Sequence, residues 1–137
     1  MHQKSRFLLC SVFMFLCLTL TGVTTSREIP EEIIESLNKG NSRILARHFN
    51  NTIELVVLDN EDIYSKSQAE IILRDFFSAN RPVKFELLHQ GGPESSRFAI
   101  GNLETKNGNF RIYFLLKLRN GVPLIHLFRI ERVEEES

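Results

Sequence analysis

Three polar side chains in the C-terminal half have the chemistry of a binding or acid–base site. Strand alternation places His89, Asn102 and His126 on the same predicted sheet face as the large apolar residues. Because histidine titrates near neutral pH, either imidazole suits a general acid or base beside an apolar ligand. The structural alternative leaves His89 and Asn102 at wet strand ends and makes His126 a satisfied core residue. Tyr64, beside Asp62 at the mouth of a small hairpin, is a fourth ligand-binding candidate, with capping or packing as its alternative.

Other site chemistries find little support in the residue pattern. No metal site is predicted, because His48 shares no close spacing with the other histidines and no carboxylate–histidine motif occurs. Glu104 is the one carboxylate expected near the inner face, at its rim, so paired catalytic acids are not evident. No serine lies in a nucleophile elbow, and Gly91-Gly92 followed by Pro93 indicates a strand connection. We therefore predict no cofactor.

The first 26 residues have the order of a secretory signal. A basic start precedes an apolar run, FLLCSVFMFLCLTL, and a small polar stretch follows it. We predict a signal peptide at residues 1–26, a single domain at 27–137, and export to the periplasm or beyond the cell. Once the segment is removed, no stable membrane insertion is expected. The alternative is an uncleaved anchor, although the run is shorter than the roughly 20 residues that span a bilayer.

The predicted exported domain has no cysteine and no basic stripe. Cys10 and Cys17 both lie in the apolar run, so residues 27–137 contain neither a disulfide nor a thiol nucleophile. Of the 17 basic residues, Lys4 and Arg6 also lie in the first 26, which leaves 15 against 17 acidic ones. Nucleic-acid binding driven by phosphate contacts is therefore not expected.

The order of the predicted elements indicates an α+β domain. Two short helices come first, and Gly40 ends the first of them; a small hairpin follows. A longer amphipathic helix then covers Ser65–Asn80, and Ser65 with Gln68 forms a capping box at its start. Four strands follow, at about 83–90, 96–105, 109–118 and 123–132. Helices followed by successive strands favour a curved, mainly antiparallel sheet with the N-terminal helices on its concave face.

The register of the last hairpin decides which residues this face carries. A two-residue turn at Asn120-Gly121 is one option. We predict instead a three-residue loop, Arg119-Asn120-Gly121, because it collects one almost wholly apolar face. The residues it places inward are Ile112, Phe114, Leu116, Leu124, His126, Phe128 and Ile130. A similar loop, Lys106-Asn107-Gly108, would turn Phe98 and Ile100 inward and Ala99 and Gly101 outward.

The same register predicts an outer face that is less polar than a free surface. Such a patch indicates a covered surface, so homodimerisation through this face is the leading interaction hypothesis. The residues assigned to the interface are Leu103, Tyr113, Leu115, Ile125, Leu127 and Arg129.

Three stretches, NTIELV, YSKSQAE and RIYFLLK, resemble an uncharacterised family of short exported Bacteroidetes proteins catalogued as a domain of unknown function. The likeness covers nearly all of residues 27–137 and includes FAIGNLETKNG. The resemblance implies the nuclear-transport-factor-2-like cone fold, also called cystatin-like, together with export and a bacterial source. It implies no activity, because that family has no established catalytic residues.

Two functional hypotheses follow. The first is a non-catalytic exported module, a small dimer that binds a small apolar ligand or an envelope protein. The second is a cone-fold enzyme that uses His126 or His89 as an acid or base on a small hydrophobic substrate. A hollow cone that reaches His126 would favour a ligand or a substrate. A cone filled by Phe76, Phe98, Phe114 and Phe128 would leave only surfaces.

Overall fold

The computed structural model describes residues 29–134, which form three helices and six strands. The helices are α1 (Glu31–Lys39), α2 (Ser42–Ala46) and α3 (Lys66–Ala79). The strands are β1 (Phe49–Val57), β2 (Asn60–Ser65), β3 (Pro82–Gly91), β4 (Ser96–Thr105), β5 (Gly108–Arg119) and β6 (Val122–Arg132). The predicted signal peptide lies outside the described residues.

The helix boundaries follow from local sequence. Pro30 precedes α1, and Gly40, with a φ of +65°, ends it in the left-handed conformation. At the start of α3, the Ser65 hydroxyl accepts a hydrogen bond from the Gln68 backbone N–H, while the Gln68 side chain accepts one from the Ser65 N–H. This capping box is the one that the sequence predicts, and it sets where α3, the longest of the described helices, begins.

The six strands form one curved sheet in the order β2-β1-β6-β5-β4-β3. All neighbouring pairs are antiparallel except β1 and β6, which are parallel. The helices lie on one side, and their apolar residues form a single core with the facing strand residues. The predicted α+β class and the curved sheet with N-terminal helices are confirmed.

Aromatic rings fill the space between α3 and the sheet. Phe76 of α3 meets Phe110 edge-on, with ring centroids 5.1 Å apart. Phe128 stacks on Phe114 at 6.2 Å and lies 6.1 Å from Phe49. Phe49, Phe110, Phe114 and Phe128 are all almost completely buried. The central part of the cone is therefore a packed core.

The β5–β6 connection has a tighter turn than we predicted. Asn120 and Gly121 form a two-residue turn, both with positive φ, and Arg119 pairs with Val122. The predicted three-residue loop is therefore wrong. A bulge in β6 at His126 then inserts one extra residue, so that Leu116 pairs with Ile125 but Leu115 pairs with Leu127.

The bulge decides which predicted orientations hold. On the side of the bulge away from the turn, Phe114 pairs with Phe128 and Ile112 with Ile130, and all four face the core as expected. Between the turn and the bulge, Ile125 shares the inner face with Leu116 and is fully buried. The prediction that Ile125 is an outer-face interface residue is therefore wrong.

The β4–β5 register also differs from the predicted one, and this reverses β4. Thr105 pairs with Gly108, so the turn is Lys106-Asn107 alone. Ala99, Gly101 and Leu103 therefore face the core and are buried. Phe98 and Ile100 face outward, and Leu103 is not an interface residue.

Close packing at Gly101 explains why small residues lie inside. A Cβ at this position would overlap the ring of Phe85 and lie 2.8 Å from the Glu86 carbonyl oxygen. Phe85 is itself buried. The Phe85 ring can therefore pack against the concave side of β4 only because residue 101 is a glycine.

Candidate functional site

The outer face of β4–β6 carries a continuous group of apolar side chains, which we call the outer patch. Two rows cross these strands. Phe98, Leu115 and Leu127 are paired in one row, and Ile100, Tyr113 and Arg129 in the next. The outer patch consists of Phe98, Ile100, Tyr113, Leu115 and Leu127. All five are half-buried rather than covered.

Aromatic contacts make one end of the outer patch rigid. The rings of Phe98 and Tyr113 stack with centroids 6.3 Å apart and an interplanar angle of 19°. The His89 ring lies 5.6 Å from Phe98 on the other side. A layer of pre-ordered aromatic side chains loses little conformational entropy when a partner covers it.

Polar residues border the outer patch on the side away from the β5–β6 turn. The next row of paired residues is Glu86, Asn102, Arg111 and Glu131. This row contains both signs of charge. An apolar centre with a polar border of mixed charge is the ordinary anatomy of a protein–protein interface.

Four of the six predicted interface residues lie on this face. Tyr113, Leu115, Leu127 and Arg129 are there as the alternation predicts, whereas Leu103 and Ile125 are in the core. Phe98 and Ile100 are the residues that the sequence argument missed. The signal for them was Gly101, since a glycine opposite a large aromatic residue marks the side of a strand where another chain segment approaches closely.

His89 and Asn102 also lie on the outer face, so their predicted inward orientation is wrong. A bulge at Leu88 causes this for His89, because Leu87 pairs with Gly101 but His89 pairs with Ile100. Asn102 follows the corrected register of β4 and pairs with Arg111. Both residues border the outer patch.

His126 lies at the bulge rather than in a regular inner position. Its Nε2 is buried and has no hydrogen-bond partner among the described residues. Burial lowers the pKa of His126 below its ordinary value, and the positive charges of Lys117 and Arg119 lower it further. Both cations belong to the outward alternation of β5, which places His126 in their field.

The two histidines proposed as acid or base are not brought together. His89 is on β3 and His126 on β6, three strands apart in the sheet. With neighbouring strands about 4.8 Å apart, the separation is well beyond the reach of a shared small substrate. Among residues 29–134, no group of three or more histidine, cysteine or acidic residues could hold a metal ion.

Tyr64 lines a pocket of ≈ 230 Å³ on the helix side of the sheet. The pocket lies between the β1–β2 hairpin and α3. The other residues that line it are Leu55, Val57, Asn60 and Ile72. The structure therefore places this predicted ligand-binding residue in a largely apolar pocket.

The described helices include none that is long and apolar enough to span a bilayer.

The family described as "Domain of unknown function (DUF4783)" matches residues 30–131. A DUF4783 protein of Bacteroides ovatus with a solved crystal structure is 34% identical, with a TM-score of 0.76. The match covers 80% of this chain and all of that one. No curated protein matches this chain.

Two more distant structures share the fold alone. A protein named after nuclear transport factor 2 is 13% identical with a TM-score of 0.60, over 73% of this chain and 90% of that one. A cystatin-like domain of unknown function from Nostoc punctiforme is 11% identical with a TM-score of 0.62, over 77% and 73%. These likenesses confirm the predicted nuclear-transport-factor-2-like, cystatin-like fold. The family match over almost the whole described region shows that the chain belongs to the DUF4783 family.

Proposed function

We propose that this protein is an exported, non-catalytic binding module that pairs with a second copy of itself through the outer patch. The observation that carries the proposal is the outer patch: three neighbouring strands present apolar side chains away from the core. Burying such a surface is favourable by roughly 25 cal/mol per Å². The packed aromatic interior supports a role based on surfaces rather than on one large central cavity.

A second copy is a better occupant than an unrelated partner because of the border of the patch. In a twofold dimer the same surface of both subunits forms the interface. A charged residue of one subunit can therefore form an ion pair only if the same surface also carries a residue of opposite charge. The border row contains Arg111 together with Glu86 and Glu131. It therefore supplies both members of ion pairs that can form across a twofold axis. An envelope protein remains the alternative partner.

The experiment is light scattering coupled to size-exclusion chromatography of the wild type and two leucine variants. Leu115→Glu introduces a charge into the centre of the outer patch. Leu88→Glu makes the same change at an exposed leucine of β3, where Leu88 is 50% exposed. We expect the wild type and Leu88→Glu to be dimers at tens of micromolar and Leu115→Glu to be a monomer. A wild type that is monomeric at high micromolar concentration would refute the dimer.

A further inference from the structure

The Tyr64 pocket is an extension of the core that no side chain fills. Leu55 is almost completely buried, whereas Val57, Tyr64 and Ile72 are only partly buried and pack against the core from its edge. All four line the same pocket. Because apolar side chains beside an unfilled space lose dispersion contacts, an apolar occupant would restore them.

The position of the pocket follows from the shape of the sheet edge. β2 is an edge strand of six residues, and it pairs only with β1 among the described strands. Leu55 and Val57 lie two and four residues after the buried Ile53 on β1, so all three face the helices. Ile72 of α3 closes the pocket from the other side. The outer patch lies on the opposite face of the sheet, so the two features are independent.

The lining limits the charge of the occupant. Leu55, Val57 and Ile72 are apolar, and Asn60 and Tyr64 are polar but uncharged. An anionic ligand would lose its hydration without gaining an opposite charge, and Asp62, which lies between Asn60 and Tyr64 on β2, adds a like charge nearby. A neutral ligand is therefore favoured over an anionic one.

Two polar groups remain available at this site. The side-chain hydrogen bonds of the described residues around it involve Asn50, Asp62 and Ser65, but neither the Tyr64 hydroxyl nor the Asn60 amide. A hydroxyl and an amide can together donate to and accept from one hydroxyl or carbonyl group. Small-molecule sites commonly combine apolar walls with a few such groups.

The volume limits the size of the occupant. An apolar cavity of about 150 Å³ holds benzene, and this pocket measures ≈ 230 Å³. The space therefore suits one six-membered ring with a small substituent, or a short aliphatic alcohol.

We propose that the Tyr64 pocket binds a small, neutral, single-ring or short-chain molecule that carries one hydroxyl or carbonyl group. The ring or chain contacts Leu55, Val57 and Ile72. Tyr64 and Asn60 hydrogen-bond the polar group.

The test is a nuclear magnetic resonance titration of the purified protein with phenol, toluene and benzoate. We expect saturable shifts of backbone amides within residues 55–72 for phenol and at least tenfold weaker binding of benzoate. Tyr64→Phe should weaken phenol at least fivefold while changing toluene less than twofold. Benzoate binding as tight as that of phenol, or no saturable phenol binding, would overturn the proposal.

A matched pair of helix variants locates the site. Ile72→Phe places a ring in the pocket and should weaken phenol at least tenfold. Ile71→Phe makes the same change at the adjacent residue, which is 48% exposed, and should change affinity less than twofold. Equal affinity in the two variants would place the binding elsewhere and refute the proposal. If Ile72→Phe does not fold, Val57→Leu adds one methylene to the same space and should give a smaller loss in the same direction.

Discussion

At the scale of single residues, His126 is the side chain whose environment differs most from what alternation predicts. The bulge removes it from the inner row, and its buried Nε2 finds no partner in the described part of the chain. Its pKa is lowered by burial and by the charges of Lys117 and Arg119. The folded protein therefore favours the neutral imidazole, whereas the unfolded chain protonates normally.

This difference predicts a pH dependence of stability. As pH falls through the ordinary histidine range near 6.5, the unfolded chain takes up a proton before the folded one does, so the free energy of unfolding decreases. The loss is complete once pH is below the folded-state pKa. Urea unfolding between pH 7.5 and 5 should show a smaller decrease in His126→Gln than in the wild type.

A further variant tests the electrostatic cause of the lowered pKa. Lys117→Gln removes one of the charges that act on His126 and should raise its pKa, as followed by the imidazole C–H resonances. An unchanged resonance midpoint in Lys117→Gln would contradict the electrostatic cause.

At the scale of secondary-structure elements, local sequence signals are sufficient for the end of α1 and the start of α3 but not for two strand registers. The Ser65–Gln68 capping box and the Gly40 stop are local signals, and both lie where they were predicted. Strand registers depend on residues far apart in sequence. The orientation of β4 depends on the Phe85 ring, which occupies the space beside Gly101. The residue pattern within β4 alone does not indicate this contact.

The β5–β6 hairpin shows how two local preferences are both met. Turn chemistry favours two residues at Asn120-Gly121, and hydrophobic patterning favours the register with one additional residue. The structure uses the two-residue turn and adds the extra residue later, as the bulge at His126. Strand alternation without a bulge can satisfy only one of the two preferences. The predicted loop is therefore wrong, whereas the predicted inward orientation of Phe114 and Phe128 is right.

The turn itself gives a test of this arrangement. Asn120 has a φ of +51°, a left-handed conformation that asparagine tolerates and alanine does not. Asn120→Ala should therefore lower the free energy of unfolding by about 1 kcal/mol, whereas Asn120→Gly should leave it nearly unchanged. Chemical denaturation measures both. Equal stability of the alanine and glycine variants would indicate that residue 120 does not have a positive φ in solution.

At the scale of the whole molecule, the domain builds its core without cross-links. Residues 29–134 contain no cysteine, and the core is aromatic and aliphatic. Both faces of the sheet carry apolar side chains, but only the concave face is covered by the helices among the described residues. Core packing therefore accounts for the inner face alone, and the uncovered outer patch is the observation behind the proposed pairing of two copies.

The distribution of cysteines also makes export testable on the intact protein. Cys10 and Cys17 are the only two cysteines of the chain, and both lie within the predicted signal peptide. If residues 1–26 are removed during export, protein recovered from the exporting cell contains no thiol. A retained anchor leaves two thiols per chain. Thiol titration under denaturing conditions should therefore read zero, and intact mass should match residues 27–137. Two thiols per chain would contradict removal of residues 1–26 and favour the uncleaved anchor.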